Sequence, residues 1–201
     1  MRGNGMFRAS AARVPGVSPI PIACRGPTYS FMKSRVQVAR HALHPMLVAF
    51  PIGLLATSVV WDVCYLASGN RSWGMISAAT IVAGVVGALA AAIPGFVDWL
   101  AIPRGTRARR IGAYHMVLNL TVVGLFVVSL VQRWMNPAGY DVAGAGRMLA
   151  GWIGLAVMVV SSWLGGELVE TLGISVSDSA NADAPSSLRQ RRHASRPHTR
   201  A

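Results

Sequence analysis

The chain has 201 residues, 53% of them hydrophobic, with 19 Lys and Arg against 7 Asp and Glu and a formal net charge of +12. Four runs of more than about eighteen nearly uncharged residues exclude an ordinary soluble domain. The basic residues lie in tails and one loop, without interleaved aromatics or a nucleic-acid-binding pattern, so they point to membrane topology and anionic lipid and exclude nucleic acid as a partner.

Residues 1–40 hold seven basic residues and no acid. Composition predicts a disordered basic tail there, with Met32 as an alternative start; a targeting peptide is the competing reading, and no run is long enough for a signal-peptide core. The domain follows over 41–176, with spans expected near 46–68, 73–102, 111–133 and 148–172. A second basic tail, 177–201, ends in LRQRRHASRPHTRA.

The first span is preceded by His41 and His44 and carries Asp62 near its far end. Pro45 suits a first helical turn, and the residue before a proline is biased to extended backbone, which predicts His44 at the N-cap. His44 and Asp62 are five turns apart, about 27 Å, so they share a helix face but no ligand. Asp62 is expected to stand alone. Pro51 and Pro94 are expected to bend their helices, and Pro103 to end the second.

Along the second span Gly84, Ala88 and Ala92 form one small-residue ridge, and Gly87, Ala91 and Gly95 another; such ridges admit a neighbouring backbone. Asp98 lies near its end. PRGTRARR, from Pro103 to Arg110, reads as a topology signal or an anionic-headgroup contact. The third span opens with His115 and Asn119, which stack at i and i+4. The fourth contains Ser161 with Gly165 and Ser162 with Gly166, and ends with Glu167 and Glu170.

Several of these stretches resemble a bacterial membrane family catalogued as domain-of-unknown-function family 2231. They are HPMLVAFPIG with the aspartate beyond it, GALAAAIPGFVDWLAIP, His115 with Asn119, and GGELVETLGISV. The likeness covers roughly Val38 to Val176. It implies four transmembrane helices and no established activity. The family pattern would carry a histidine where this chain has Ala49, and a tyrosine and a histidine where it has Glu170 and Leu172.

Sixteen of the Lys and Arg residues fall in the two tails and the second loop, against Arg71, Arg133 and Arg147 on the other side. The positive-inside rule then predicts a multi-pass protein of the inner membrane with both termini cytoplasmic. Cys24 and Cys64 are separated by the bilayer and do not pair.

The expected fold class is an all-α integral membrane four-helix bundle with disordered basic tails. That topology brings His44, Asp98, His115, Asn119 and Glu167 to one membrane level, with His41, Asp62 and Glu170 as lesser candidates. Carboxylates at helix C-termini oppose the macrodipole, so the histidines would compensate Asp98 and Glu167. The readings of this cluster are a structural polar layer, a b-type haem held by His44 and His115, a divalent metal site, or a proton path from Asp62. No nucleophile–base motif, phosphate loop or dinucleotide fingerprint is present, so no enzyme is expected. The expected role is a structural or accessory membrane component, the alternative a haem- or metal-binding redox subunit. Expected partners are anionic lipids, with a membrane redox partner or a second copy as further possibilities.

Overall fold

Four apolar helices account for most of the described residues, and short local signals decide where each begins and ends. The computed structural model describes residues 31–136, 145–177, 180–184 and 186. The helices are α1, Leu43–Ser68; α2, Arg71–Ala101; α3, Arg107–Trp134; and α4, Ala145–Gly166, which continues as a π-helical turn, Glu167–Thr171. All four are long and apolar enough to cross a membrane. At 26 to 31 residues for each span, they measure about 39–46 Å.

The turns follow from their residues. Gly69 ends α1 in the left-handed region (φ 68°), with its N–H on the Tyr65 carbonyl at 2.8 Å, a conformation that favours glycine. Asn70 caps α2 by accepting from Ser72 N at 3.0 Å, so two residues suffice to reverse the chain. Thr106 caps α3 by accepting from Arg109 N at 3.2 Å. That cap starts α3 at Arg107, ahead of the apolar run.

His44 lies inside α1, not at its N-cap; Ala42 takes the cap position with extended backbone. The proline bias is overridden because Pro45 sits in the first turn, where its missing N–H costs no helical bond. The peptide before the helix also fixes the entry: Leu43 N donates to the Val36 carbonyl at 3.0 Å. Residues 31–40, which composition assigns to the basic tail, form the approach to α1. Strands β1, Gln37–Val38, and β2, His41–Ala42, form a small antiparallel hairpin. Its turn residues Ala39 and Arg40 have φ of 49° and 70°, the positive values a two-residue hairpin turn demands. The expectation of disorder over 1–30 and 187–201 falls outside the described residues.

In the bundle α1 packs along α2 and α3 along α4, while α2 meets α3 and α1 meets α4. Small residues set the spacing. A Cβ on Gly84 would lie 2.6 Å from Leu55 Cδ2, and one on Gly154 would lie 3.0 Å from Phe126 Cε2. Gly87 faces Pro51, and Ala91 is buried whereas Ala92 is exposed. The contact face of α2 is therefore Gly84, Gly87, Ala91 and Gly95. Lipid gives little hydrophobic drive for helix association, so this close approach supplies the packing energy. Leu55, Ile81, Val122, Phe126 and Met158 form the apolar centre. Large side chains such as Phe50, Ile93 and Trp163 point outward and are exposed, as a lipid-facing surface requires.

Candidate functional site

Two polar layers sit inside the bundle, one on each side of the apolar centre. The first lies towards the end that carries the PRGTRARR loop, here the basic end. His44 Nδ1–H donates to the Ala91 carbonyl of α2 at 2.8 Å, and His115 Nδ1–H donates to the Ser161 carbonyl of α4 at 2.9 Å. The rings of His44 and His115 approach each other edgewise, with centroids 6.5 Å apart and planes at 86°. Glycine makes room for each: a Cβ on Gly95 would lie 2.7 Å from His44 Nδ1, and one on Gly165 3.1 Å from His115 Cε1. Asn119 Nδ2 donates to His115 Nε2 at 3.0 Å and to the His115 carbonyl at 2.9 Å. Since a carbonyl only accepts, Nδ1 of both rings carries hydrogen, and Nε2 of His115 is an acceptor.

The second layer lies towards the opposite end. Arg133 of α3 places Nη2 2.6 Å from Asp62 Oδ2 and 2.8 Å from Asp62 Oδ1. Asp62 is 1% exposed and Arg133 0%. Ser77 Oγ of α2 lies 2.5 Å from Asp62 Oδ1 and 3.0 Å from the Ser58 carbonyl. Ser129 Oγ donates to the Arg147 carbonyl of α4 at 3.0 Å. Three helices thus meet in one charge-compensated knot, and a fourth is tied beside it. Among the described residues, Arg133 Nε, Arg133 Nη1 and Trp152 Nε1 are buried donors without an acceptor.

The family model described as a predicted membrane protein (DUF2231) matches residues 40–178. The chain belongs to this family. No curated protein and no solved structure matches the chain. Membership in DUF2231 agrees with the four spans and assigns no activity.

Of the residues singled out for this DUF2231 chain, the structure brings His44, His115 and Asn119 together and sends the others elsewhere. Asp98 is 6% exposed and holds the segment before the hairpin. It accepts from Ser34 Oγ and Arg35 N, each at 2.7 Å, and from Val36 N at 3.4 Å. Glu167 pairs with Arg107 at 2.6 Å and accepts from Thr171 Oγ1 at 2.9 Å. Neither carboxylate is compensated by a histidine; backbone N–H groups, hydroxyls and an arginine do so, because they lie nearer the helix ends. Arg109 plays the matching part for α2. Its Nη1 donates to the carbonyls of Trp99, Leu100 and Ile102 at 2.6, 3.0 and 3.0 Å, a cation on the negative end of a helix dipole. His41 is exposed, with Nδ1 3.1 Å from the Ala39 carbonyl. Ala49 and Glu170 are exposed and Leu172 is half-buried.

Asp62 does not stand alone. Its partner Arg133 was legible as a topology charge and as nothing more, because positive-inside counting scores an arginine by side and not by helix face. One signal was available: Asp62 and Arg133 each follow a histidine, His44 and His115, by the same eighteen positions. Among the described residues, no three His, Cys, Asp or Glu side chains converge to hold a metal ion.

Proposed function

We propose that this protein is a structural or accessory component of a bacterial inner membrane, with both termini cytoplasmic, and that its two polar layers clamp the helices together. One observation carries this reading: His44, His115 and Asp62 each hydrogen-bond across a helix boundary. His44 ties α1 to α2, His115 ties α3 to α4, and Asp62 joins α1 to α2 and α3 through Ser77 and Arg133. Buried ionisable groups in a membrane are expensive, and a neutral, bonded pair is the arrangement that tolerates them. The orientation rests on the arginine asymmetry. Arg104 and Arg110 are exposed at the basic end, which suits anionic headgroups. A reporter active only outside the cytoplasm should be silent after Val176 and active after Ala138; the reverse pattern rejects the orientation.

A second reading has a specific observation behind it. Ligating histidines usually donate their other ring nitrogen to a carbonyl, as His44 and His115 both do. With centroids 6.5 Å apart, the pair also has the spacing of two imidazoles on opposite sides of one ion, given metal–nitrogen bonds of about 2 Å, and not that of a tetrahedral site. Haem b or a metal ion in a redox subunit would follow. Asn119 on His115 Nε2 competes with it. The test is an absorption spectrum and metal analysis of the wild type, His44→Ala and His115→Ala. A Soret band or stoichiometric metal lost in both variants establishes the second reading; stability loss without either supports the first.

A further inference from the structure

We propose that the domain is two versions of one helical hairpin, α1–α2 and α3–α4, related by a pseudo-two-fold axis along the bundle, and that Asp62 and Arg133 are the matched pair that fixes which hairpin faces which. The contacts carry this more strongly than the letters do. A shift of 71 positions takes α1 onto α3, and one of 70 takes α2 onto α4. Under these shifts the first hairpin's contacts reappear in the second. His44 on the Ala91 carbonyl becomes His115 on the Ser161 carbonyl. His44 against Gly95 becomes His115 against Gly165, and Leu55 against Gly84 becomes Phe126 against Gly154. The Ser58–Ser77 bond becomes Ser129–Arg147, with the hydroxyl donor now on the other helix. The sequence keeps a weaker trace: His44, Leu47, Gly53, Leu54, Ser58 and Val60 are identical to their counterparts in α3.

Residues related by a two-fold axis meet one another only where the axis passes. Two such pairs meet here. His44 and His115 lie 6.5 Å apart at the basic end, and Asp62 and Arg133 are bonded at 2.6 Å towards the other. The axis therefore threads both polar layers. Because α1 and α3 both start at the basic end, the repeats are parallel and the axis follows the membrane normal.

The two halves differ in charge in one layer only; at the histidine layer Asn119 answers to Val48 and Ser161 to Ala91, both uncharged changes. There both halves present a histidine. At the other they present Asp62 with Ser77 against Arg133 with Arg147. Two copies of the first hairpin would bury carboxylate against carboxylate, and two of the second guanidinium against guanidinium. Such like-charge contacts exclude the wrong pairing, whereas the opposite charges accept the right one. The face of each hairpin is thus an interaction surface whose partner is the other hairpin and not a copy of itself.

Exchange of the layer within the full chain tests this. Asp62→Arg and Arg133→Asp are made singly and together, and the pair is then combined with Ser77→Arg and Arg147→Ser, which exchanges the whole layer. The readout is the fraction of monodisperse protein left in detergent after a fixed heat step. Each single change should cut that fraction about ten-fold, the charge exchange should restore it to within about three-fold of wild type, and the full layer exchange should come closer still. Equivalent positions tolerate exchange; inequivalent ones do not. Should the charge exchange and the layer exchange both stay as depleted as the worse single variant, the two-fold relation is overturned. Single variants as stable as wild type would overturn the pairing role.

Discussion

Removing Arg133 alone should be among the most damaging single changes in the chain. Arg133→Met leaves Asp62, 1% exposed, with Ser77 as its remaining side-chain donor. Breaking one side of a buried ion pair costs about 3–5 kcal/mol, because the remaining charge keeps its desolvation penalty and loses its partner. At about 2–4 °C per kcal/mol for a chain of this size, the midpoint should fall by about 6–20 °C. Asp62→Leu should do as much, since it strands a buried guanidinium, two of whose donors have no acceptor among the described residues. The double variant, Asp62→Leu with Arg133→Met, should recover most of the loss, because replacing a buried pair with apolar groups of similar volume is often near neutral. The assay is thermal unfolding of the purified protein in one detergent, read as a double-mutant cycle. Small, additive single effects of under about 1 kcal/mol, the range of hydrated surface pairs, would refute the reasoning.

Three other expectations follow from the packing and the ends. Gly84→Ala should destabilise by about 1–3 kcal/mol, since its Cβ would fall 2.6 Å from Leu55 Cδ2; Gly124→Ala, with nothing within 4 Å, should be neutral or stabilising by up to about 1 kcal/mol, and equal effects would show the ridge is not a contact. Asp98→Asn should loosen the segment bonded through Ser34 and Arg35, so tryptic cleavage after Lys33 and Arg35 should quicken; an unchanged rate contradicts the anchoring role. Arg109→Gln should lower stability through the lost charge on the α2 end and the lost stacking on Trp99, whose ring centroid lies 3.7 Å from the guanidinium carbon; an unchanged midpoint would count against the cap.

Hydropathy made the four spans legible, because a membrane helix is constrained by length and apolarity along its whole course. Its ends depend on single residues, and there the reading was weaker. Thr106 caps α3 from outside the apolar run that marks the span, and the extended bias before Pro45 gives way to the first turn of α1. The polar cluster was legible in part. His115 and Asn119 share a helix and are fixed by spacing, whereas Asp98 and Glu167 share only a depth with them, and depth does not decide side-chain direction. The Asp62–Arg133 pair was missed because it joins diagonal helices. Only the equal spacing from His44 and His115 connects the two residues in the linear chain, and that requires the two hairpins to be laid over one another first.

The most direct test of the clamping role is the spectrum and metal content of the purified full-length protein, taken together with the stability of His44→Ala and His115→Ala. The account predicts no Soret band, metal well below one equivalent, and a lowered thermal midpoint in both variants. A stoichiometric haem or metal ion that disappears with either histidine would contradict it.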